Sequence, residues 1–232
     1  MPIFEDQKCL FVHIPKNAGR SIESALLAER GSPHHGRRNL LNRGAIALAR
    51  YSAPSFSQKF LIGTLDYAFA AQHLTYVEME LLGLLPVDGR YTSFCVVRNP
   101  YDRALSSIMH FYPAQWANAA DEVERHAGFE RDLQDWLRKP LKDHNERAHR
   151  RPQLDYMRNK FGNIAIDHVL RFESLDADFC EFSRLLGIPE TNIKRQGASG
   201  RVRSYHDYYS LYSKKLVEAA FGADIETFGY TY

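Results

Sequence analysis

The chain has 232 residues, of which 44% are hydrophobic and 25% are charged, and its formal net charge at pH 7 is +2. These values are ordinary for a globular protein that buries its own core, and they favour a single domain, 1–232. The charge is too small to predict a nucleic-acid partner, and no stretch approaches the ~20 apolar residues of a transmembrane segment.

The cysteines and the N-terminus predict a cellular compartment. Cys9, Cys95 and Cys180 are odd in number, lie among apolar neighbours and lack the spacing of a zinc site. This pattern favours reduced thiols in the core, which are typical of a reducing compartment. Because Glu5 and Asp6 interrupt the first apolar stretch, no secretory leader is predicted. The expected location is cytoplasmic.

Short apolar runs alternate along the chain with segments of helical periodicity. Strands are predicted at 8–14, 69–73, 92–97 and 164–171. Helices are predicted at 21–29, 45–51, 75–83, 100–111, 129–138, 175–186 and 211–221, with a capping box of Thr75 and Glu78 at the third and Asn99 as the N-cap of the fourth. The charged segment 140–152 is expected to be a connection. Alternating strands and helices indicate an α/β fold with a mainly parallel sheet, whose ligands bind at the carboxyl ends of the strands.

The first strand runs into the turn 15–21, Pro-Lys-Asn-Ala-Gly-Arg-Ser. Gly19 would let backbone N–H groups approach an anion, the start of the next helix would favour one, and Lys16 adds a positive charge. An ordinary P-loop NTPase is disfavoured, because the lysine precedes the only glycine of the turn. The alternative is a strand, turn and helix that carry a surface lysine without function.

The 92–97 strand ends at Arg98, an unfavourable place for a charge that has no partner. A phosphate is a suitable partner, since a guanidinium binds it with two hydrogen bonds. Ser106, two helical turns further on, could add a hydroxyl contact. The alternative, that Arg98 pairs with a carboxylate such as Asp102, is equally open.

With both motifs in this order, the chain resembles the carbohydrate-type sulfotransferases, which use 3′-phosphoadenosine 5′-phosphosulfate (PAPS) and carry a His-Ile-Pro-Lys-x-Ala-Gly-x-Ser signature. The resemblance implies a P-loop-like three-layer fold, with a central sheet flanked by helices. It assigns the 5′-phosphosulfate to Lys16, Asn17, Ala18, Gly19, Arg20 and Ser21, and the 3′-phosphate to Arg98 and Ser106. Arg20 departs from the family, which usually has threonine there.

The resemblance continues in two further segments. In Gln-His-Leu-Thr at 72–75 it implies that His73 is the catalytic base. In the C-terminal part it covers 198–201, the pair Tyr208 and Tyr209, and 224–230, although Gly197 replaces an asparagine that is common in the family. The basic segment 194–215 is expected to close over the nucleotide, with Arg201 or Arg203 on a phosphate and a tyrosine near the adenine; the alternative is a basic surface loop. The acid-free segment 31–65 is expected either to line an acceptor site or to be a solvated surface.

These features predict a PAPS-dependent sulfotransferase that acts on a hydroxyl of a carbohydrate or glycolipid and releases adenosine 3′,5′-bisphosphate. Lys16 would stabilise the leaving phosphate and His73 would accept the hydroxyl proton, with no metal required. Two alternatives stay open: a nucleotide-dependent kinase, and a non-catalytic protein that binds a nucleotide or a glycan. No motif indicates the acceptor or the oligomeric state.

Overall fold

The computed structural model describes residues 3–4, 7–26, 73–81, 83, 85–86, 89, 91–141, 144–188, 193, 201 and 203–232. At the centre of this described part lies a four-stranded sheet. Its strands are β1 (Ile3–Phe4), β2 (Cys9–Val12), β3 (Thr92–Val97) and β4 (His168–Arg171), and they lie side by side in the order β1-β2-β3-β4. β1 is antiparallel to β2, whereas β2, β3 and β4 are mutually parallel. The predicted α/β fold with a mainly parallel sheet is confirmed.

The helices of the described residues lie between and after these strands. They are α1 (Gly19–Leu26), α2 (Tyr76–Leu81), α3 (Pro100–Phe111), α4 (Glu122–Arg138), α5 (His144–Arg150), α6 (Leu175–Leu185) and α7 (Leu211–Phe228). Short 3-10 turns occur at Gln115–Asn118, Leu154–Tyr156 and Tyr205–Tyr208. None of the helices described is long and apolar enough to cross a membrane.

Both faces of the central strands are buried, because successive side chains point to opposite faces of the sheet. Phe11 and Phe94 belong to a core on one face, which α1 and α6 complete. Val12 and Cys95 belong to a second core on the other face, which includes Met79 of α2. The continuous apolar character of β2 and β3 in the sequence follows from this burial on two sides.

A third core lies among helices α3, α4 and α7. Leu105, Phe129, Trp136 and Val217 are at its centre, each at most 1% exposed. This core fixes the side of α3 that faces away from the sheet. The start of α3 is therefore held between the sheet and a helical layer.

Local sequence signals set several boundaries as predicted. β3 and α3 have the predicted bounds. Asn99 caps α3 by accepting a hydrogen bond from the Tyr101 amide (3.1 Å). Thr75 and Glu78 form the predicted capping box at α2, with reciprocal bonds of 2.8 and 3.2 Å.

Other predicted bounds are wrong. The 140–152 connection contains α5, whose charged sequence lacks a clear apolar face. α4 begins seven residues early, where Asp121 caps it by accepting from the Val123 amide (3.1 Å). α7 continues through a non-helical Phe221 (φ −131°, ψ 23°) to Gly229, whose left-handed φ of +63° ends it. The helix predicted at 45–51 and residues 69–72 of the predicted second strand lie outside the described residues, and His73 belongs to a 3-10 turn.

Candidate active site

Two cationic turns meet at the carboxyl ends of neighbouring parallel strands. The first turn is 15–21, which contains Lys16, and the second turn begins at Arg98. Lys16 lies four residues beyond the end of β2, and Arg98 directly follows β3. Arg98 Nη1 donates a hydrogen bond to the Lys16 carbonyl oxygen at 2.8 Å. The fold therefore brings into contact two motifs that are 82 residues apart.

The first turn has a backbone conformation that is unusual for its residues. Lys16 (φ +69°) and Ala18 (φ +62°) both lie in the left-handed region without being glycine. The Ala18 carbonyl accepts from the Ser21 and Ile22 amides (2.9 and 3.1 Å), which starts α1. Left-handed residues in a turn direct successive N–H groups into an anion-binding concavity, and strain of this kind persists only where surrounding contacts enforce it.

Gly19 is required by a neighbouring ring. A Cβ atom at this position would lie 1.7 Å from His13 Nε2, so any side chain here would have to displace the His13 ring. His13 is 6% exposed, stacks on Phe11 with ring centroids 5.4 Å apart, and places Nδ1 3.0 Å from Glu23 Oε1. His13 thus packs against the start of α1 and sets the shape of the turn.

A buried amide joins the two turns. Gln153 is fully buried, and its Oε1 accepts from Asn17 Nδ2 (2.6 Å) and from the Arg98 amide (2.9 Å). Its Nε2 donates to the Arg98 carbonyl oxygen (2.9 Å). Asn17 Nδ2 also donates to the Val96 carbonyl oxygen (2.7 Å). The Asn17 amide nitrogen, in a residue that the resemblance assigns to the cofactor, is thus engaged within the protein.

At the second turn, a carboxylate is shared between two arginines. Asp102 Oδ2 accepts from Arg98 Nε (2.8 Å) and lies 2.7 Å from its Nη2, while Arg201 Nη1 donates to Asp102 Oδ1 (2.5 Å). The Arg98 guanidinium also lies 4.0 Å from the Phe172 ring centroid. The pairing of Arg98 with Asp102, one of the two alternatives for this motif, is present.

The remaining residues assigned to the nucleotide differ in exposure. Ser106 is 9% exposed and lies one helical turn after Asp102 on the same face of α3. Arg20 and Arg203 are exposed. The 3′-phosphate role of Arg98, Ser106 and Arg201 stays a prediction, as does the 5′ role of the first turn.

Lys16 is half-buried and close to other cations. Burial, followed by the positive charges of Arg98 and Arg20, lowers its pKa from 10.5 to about 8. Its ammonium is still the main form at pH 7. An anion bound beside Lys16 would stabilise its ammonium form and raise this pKa again.

His73 is 5% exposed and is held in one tautomer. Its Nδ1 lies 3.0 Å from the His13 carbonyl oxygen, which can only accept, so Nδ1 carries the proton and Nε2 has the lone pair. Burial, and then the neighbouring His13 and His149, lower its pKa well below 6.5. His73 is therefore neutral at pH 7 and able to accept a proton.

Two further histidines extend this arrangement, and sequence reasoning missed both. The His149 ring lies 5.5 Å from His73 in an edge-on geometry and 5.5 Å from His110 in a stacked one. His149 is 5% exposed, its Nδ1 donates to the Asn145 carbonyl oxygen (2.9 Å), and burial lowers its pKa to about 3. Nothing in the sequence distinguished His149, because helix α5 itself was not predicted.

Arg103 connects the same residues to the first turn. It is 2% exposed, and its guanidinium donates to the carbonyl oxygens of Pro15 (3.2 Å), His149 (3.3 Å) and Arg151 (3.1 Å). Burial lowers its pKa, while the nearby Asp224 carboxylate opposes this effect. Arg103 therefore holds the Lys16 turn and the His149 segment in a fixed relation.

Other sequence candidates lie apart from the turns or outside the described residues. Tyr208 and Tyr209 are buried in the helical core, where they donate to the carbonyl oxygens of Ala117 (3.2 Å) and Tyr101 (2.7 Å). The segment 31–65 and residues 194–200 and 202 lie outside the described residues. Within the described part of the chain, no group of three or more His, Cys, Asp or Glu could hold a metal ion.

Comparison with known proteins gave one match. The family model described as "Sulfotransferase family" matches residues 1–231. No curated protein and no solved structure gave a significant match.

Gly19→Ala is expected to lower the free energy of unfolding by about 3 kcal/mol, because the new methyl group must displace the buried His13 ring. Urea unfolding would measure the loss. The control is Gly222→Ala in α7, where a Cβ meets no atom within 4 Å and the helix propensity of alanine favours the change by up to ~1 kcal/mol. Equal stability of both variants would contradict the proposed packing of His13.

The buried neutral histidines predict a loss of stability in acid. A histidine with a pKa of 6.5 when unfolded and about 3 when folded takes up its proton on unfolding, so its contribution is present above pH 6.5 and is lost as the pH falls toward 3. His149 alone would remove about 3 kcal/mol between pH 7 and pH 4.

His149→Phe keeps the ring packing and is expected to flatten the dependence of unfolding free energy on pH below 6.5. His126→Asn, on the partly exposed surface of α4, is the matched control and should keep the wild-type slope. If His149→Phe kept that slope as well, His149 would not be the source of the acid sensitivity.

Proposed function

The chain belongs to the sulfotransferase family, and on that premise we propose that it transfers the sulfuryl group of PAPS to an acceptor hydroxyl. The observation that carries the proposal is the contact between the two cationic turns, with Arg98 bonded to the Lys16 carbonyl oxygen. Two adjacent cationic sites suit a nucleotide with separate 5′ and 3′ phosphate groups. The strained Lys16 turn, followed directly by α1, suits the phosphosulfate end.

In the proposed reaction, the acceptor oxygen attacks sulfur while the bond from sulfur to the phosphate oxygen breaks. The hydroxyl proton passes to His73 Nε2, and the electron pair of the broken bond stays on the leaving phosphate, beside Lys16. The products are a sulfate ester and adenosine 3′,5′-bisphosphate. Catalysis would come from positioning and from charge stabilisation, because the protein forms no covalent bond in this scheme.

The environment of His73 supports its role as the base. Its Nδ1–H donates to the His13 carbonyl oxygen, so Nε2 is the ring atom that can accept a proton. A neutral buried imidazole is a weak base by itself. The negative charge of a bound donor would favour its protonated form and raise its basicity when the reaction needs it.

We further propose a carbohydrate or glycolipid acceptor, on the basis of the resemblance to the carbohydrate-type enzymes, and a cytoplasmic location. Cys9 and Cys95 are free and buried, and burial raises the pKa of Cys9 to about 12. Both thiols therefore fit a structural role in a reducing environment.

The donor is tested first by binding. Adenosine 3′,5′-bisphosphate is expected to raise the melting temperature, whereas ATP with magnesium is not. Turnover would then be measured with labelled PAPS and a panel of sugar, glycolipid and phenolic acceptors. Stabilisation by ATP with magnesium alone would favour a kinase, and binding of the bisphosphate without transfer to any acceptor would favour a non-catalytic protein.

His73→Gln is expected to lower kcat about 100-fold or more, because the proton acceptor is lost, while the Kd of adenosine 3′,5′-bisphosphate stays within about threefold. His126→Gln is the control and should leave both unchanged. Near-normal turnover of His73→Gln would reject His73 as the base.

In the wild type, kcat/KM should remain high well below pH 6.5, where His73 is still neutral, and should fall above about pH 8 as Lys16 loses its proton.

A further inference from the structure

The two cationic turns lie beyond the region where backbone pairing of β2 and β3 fixes their spacing. The last paired residues of these strands are Val12 and Cys95. Lys16 is four residues past that pair on one strand, and Arg98 is three residues past it on the other. Side chains must therefore contribute to the relative position of the turns.

Gln153 adds a second connection to the direct bond between Arg98 and the Lys16 carbonyl oxygen. One side-chain amide bonds to Asn17 in the first turn and to both the N–H and the carbonyl of Arg98 in the second, with distances of 2.6 to 2.9 Å. Three hydrogen bonds in a fully buried site restrict both partners, because an amide that shifted would leave buried polar groups without partners.

The backbone of Gln153 is held by a further element, helix α7. Asp224 of α7 accepts from the Gln153 amide (2.7 Å) with Oδ2 and from the Leu154 amide (2.9 Å) with Oδ1. Asp224 is fully buried, and these bonds hold the start of the 3-10 turn Leu154–Tyr156 against α7. The position of the Gln153 side-chain amide is therefore set by α7 as well as by the two turns.

On this basis we propose that Gln153 is a positioning residue that sets the distance between the two anion sites, so that a ligand with two phosphate groups engages both at once. The inference rests on the proposed function, since it assumes that the turns receive the 5′ and 3′ phosphates. When one phosphate of the ligand is bound, its second phosphate has a high effective concentration at the other site. This concentration depends on how closely the spacing of the two turns matches that of the two phosphates. Gln153 would therefore matter most for ligands that carry both groups.

The test compares three ligands on the full chain: adenosine 3′,5′-bisphosphate, 5′-AMP and 3′-AMP. Gln153→Met keeps the length of the side chain and removes its hydrogen bonds. It is expected to weaken binding of the bisphosphate about tenfold, while each monophosphate loses less than about threefold. Asp224→Asn, which weakens the support of the Gln153 backbone, should shift the ratio of bisphosphate to monophosphate affinity in the same direction by a smaller factor.

Asp132→Asn is the matched control. Its carboxylate is also buried and accepts from Trp116 Nε1 (2.7 Å), but it belongs to the helical core. It should lower the melting temperature without changing the ratio of bisphosphate to monophosphate affinity. Calorimetric titration would supply the Kd values, and circular dichroism would confirm folding of each variant.

The outcomes separate this inference from the proposed function. If the wild type does not bind the bisphosphate, the proposed function fails. If it binds, and Gln153→Met and Asp224→Asn both weaken all three ligands equally or leave the bisphosphate unaffected, the positioning role is rejected while the function stands. Should Gln153→Met fail to fold, Asp224→Asn decides by the same ratio.

Discussion

The buried side-chain amide of Gln153 is the contact on which the candidate site depends. Parallel strands hold each other along their paired residues, but the polar backbone at their carboxyl ends needs other partners. An unsatisfied buried N–H or carbonyl costs about 1–3 kcal/mol, so each partner that Gln153 supplies matters. Because the same amide serves the Asn17 turn and Arg98, the two turns share one support. The geometry of the site thus follows from the requirement that buried polar groups be satisfied.

Charge is distributed unevenly over the site. Asp102 pairs with both Arg98 and Arg201 at the second turn, whereas the dominant charges acting on Lys16 are the cations Arg98 and Arg20. Burial, and then these two cations, lower the pKa of Lys16. A half-buried cation among other cations is stabilised when an anion binds beside it. The first turn therefore has a greater need of a bound anion than the second turn.

The histidines add a neutral region beside these charges. His73, His149 and His13 are all buried, and the first two are held neutral because burial disfavours their charged forms. The Nδ1 atoms of His73 and His149 each donate to a backbone carbonyl, which fixes their tautomers. A neutral imidazole of defined tautomer next to a cationic turn has the properties that the proposed proton abstraction requires.

Much of this arrangement was predictable from local sequence. The strand–turn–helix pattern, the Asn99 cap and the Thr75–Glu78 capping box each depend on residues close together in the chain, and the structure confirms them. Lys16 and Arg98 could also be placed at one edge of the sheet, because parallel strands end together. Gln153 and His149 could not be identified, since each is a single residue in a charged segment whose partners lie elsewhere. Their roles come from contacts with residues far away in the chain, such as that between Gln153 and Arg98, which are 55 positions apart, and only tertiary packing decides which buried groups meet.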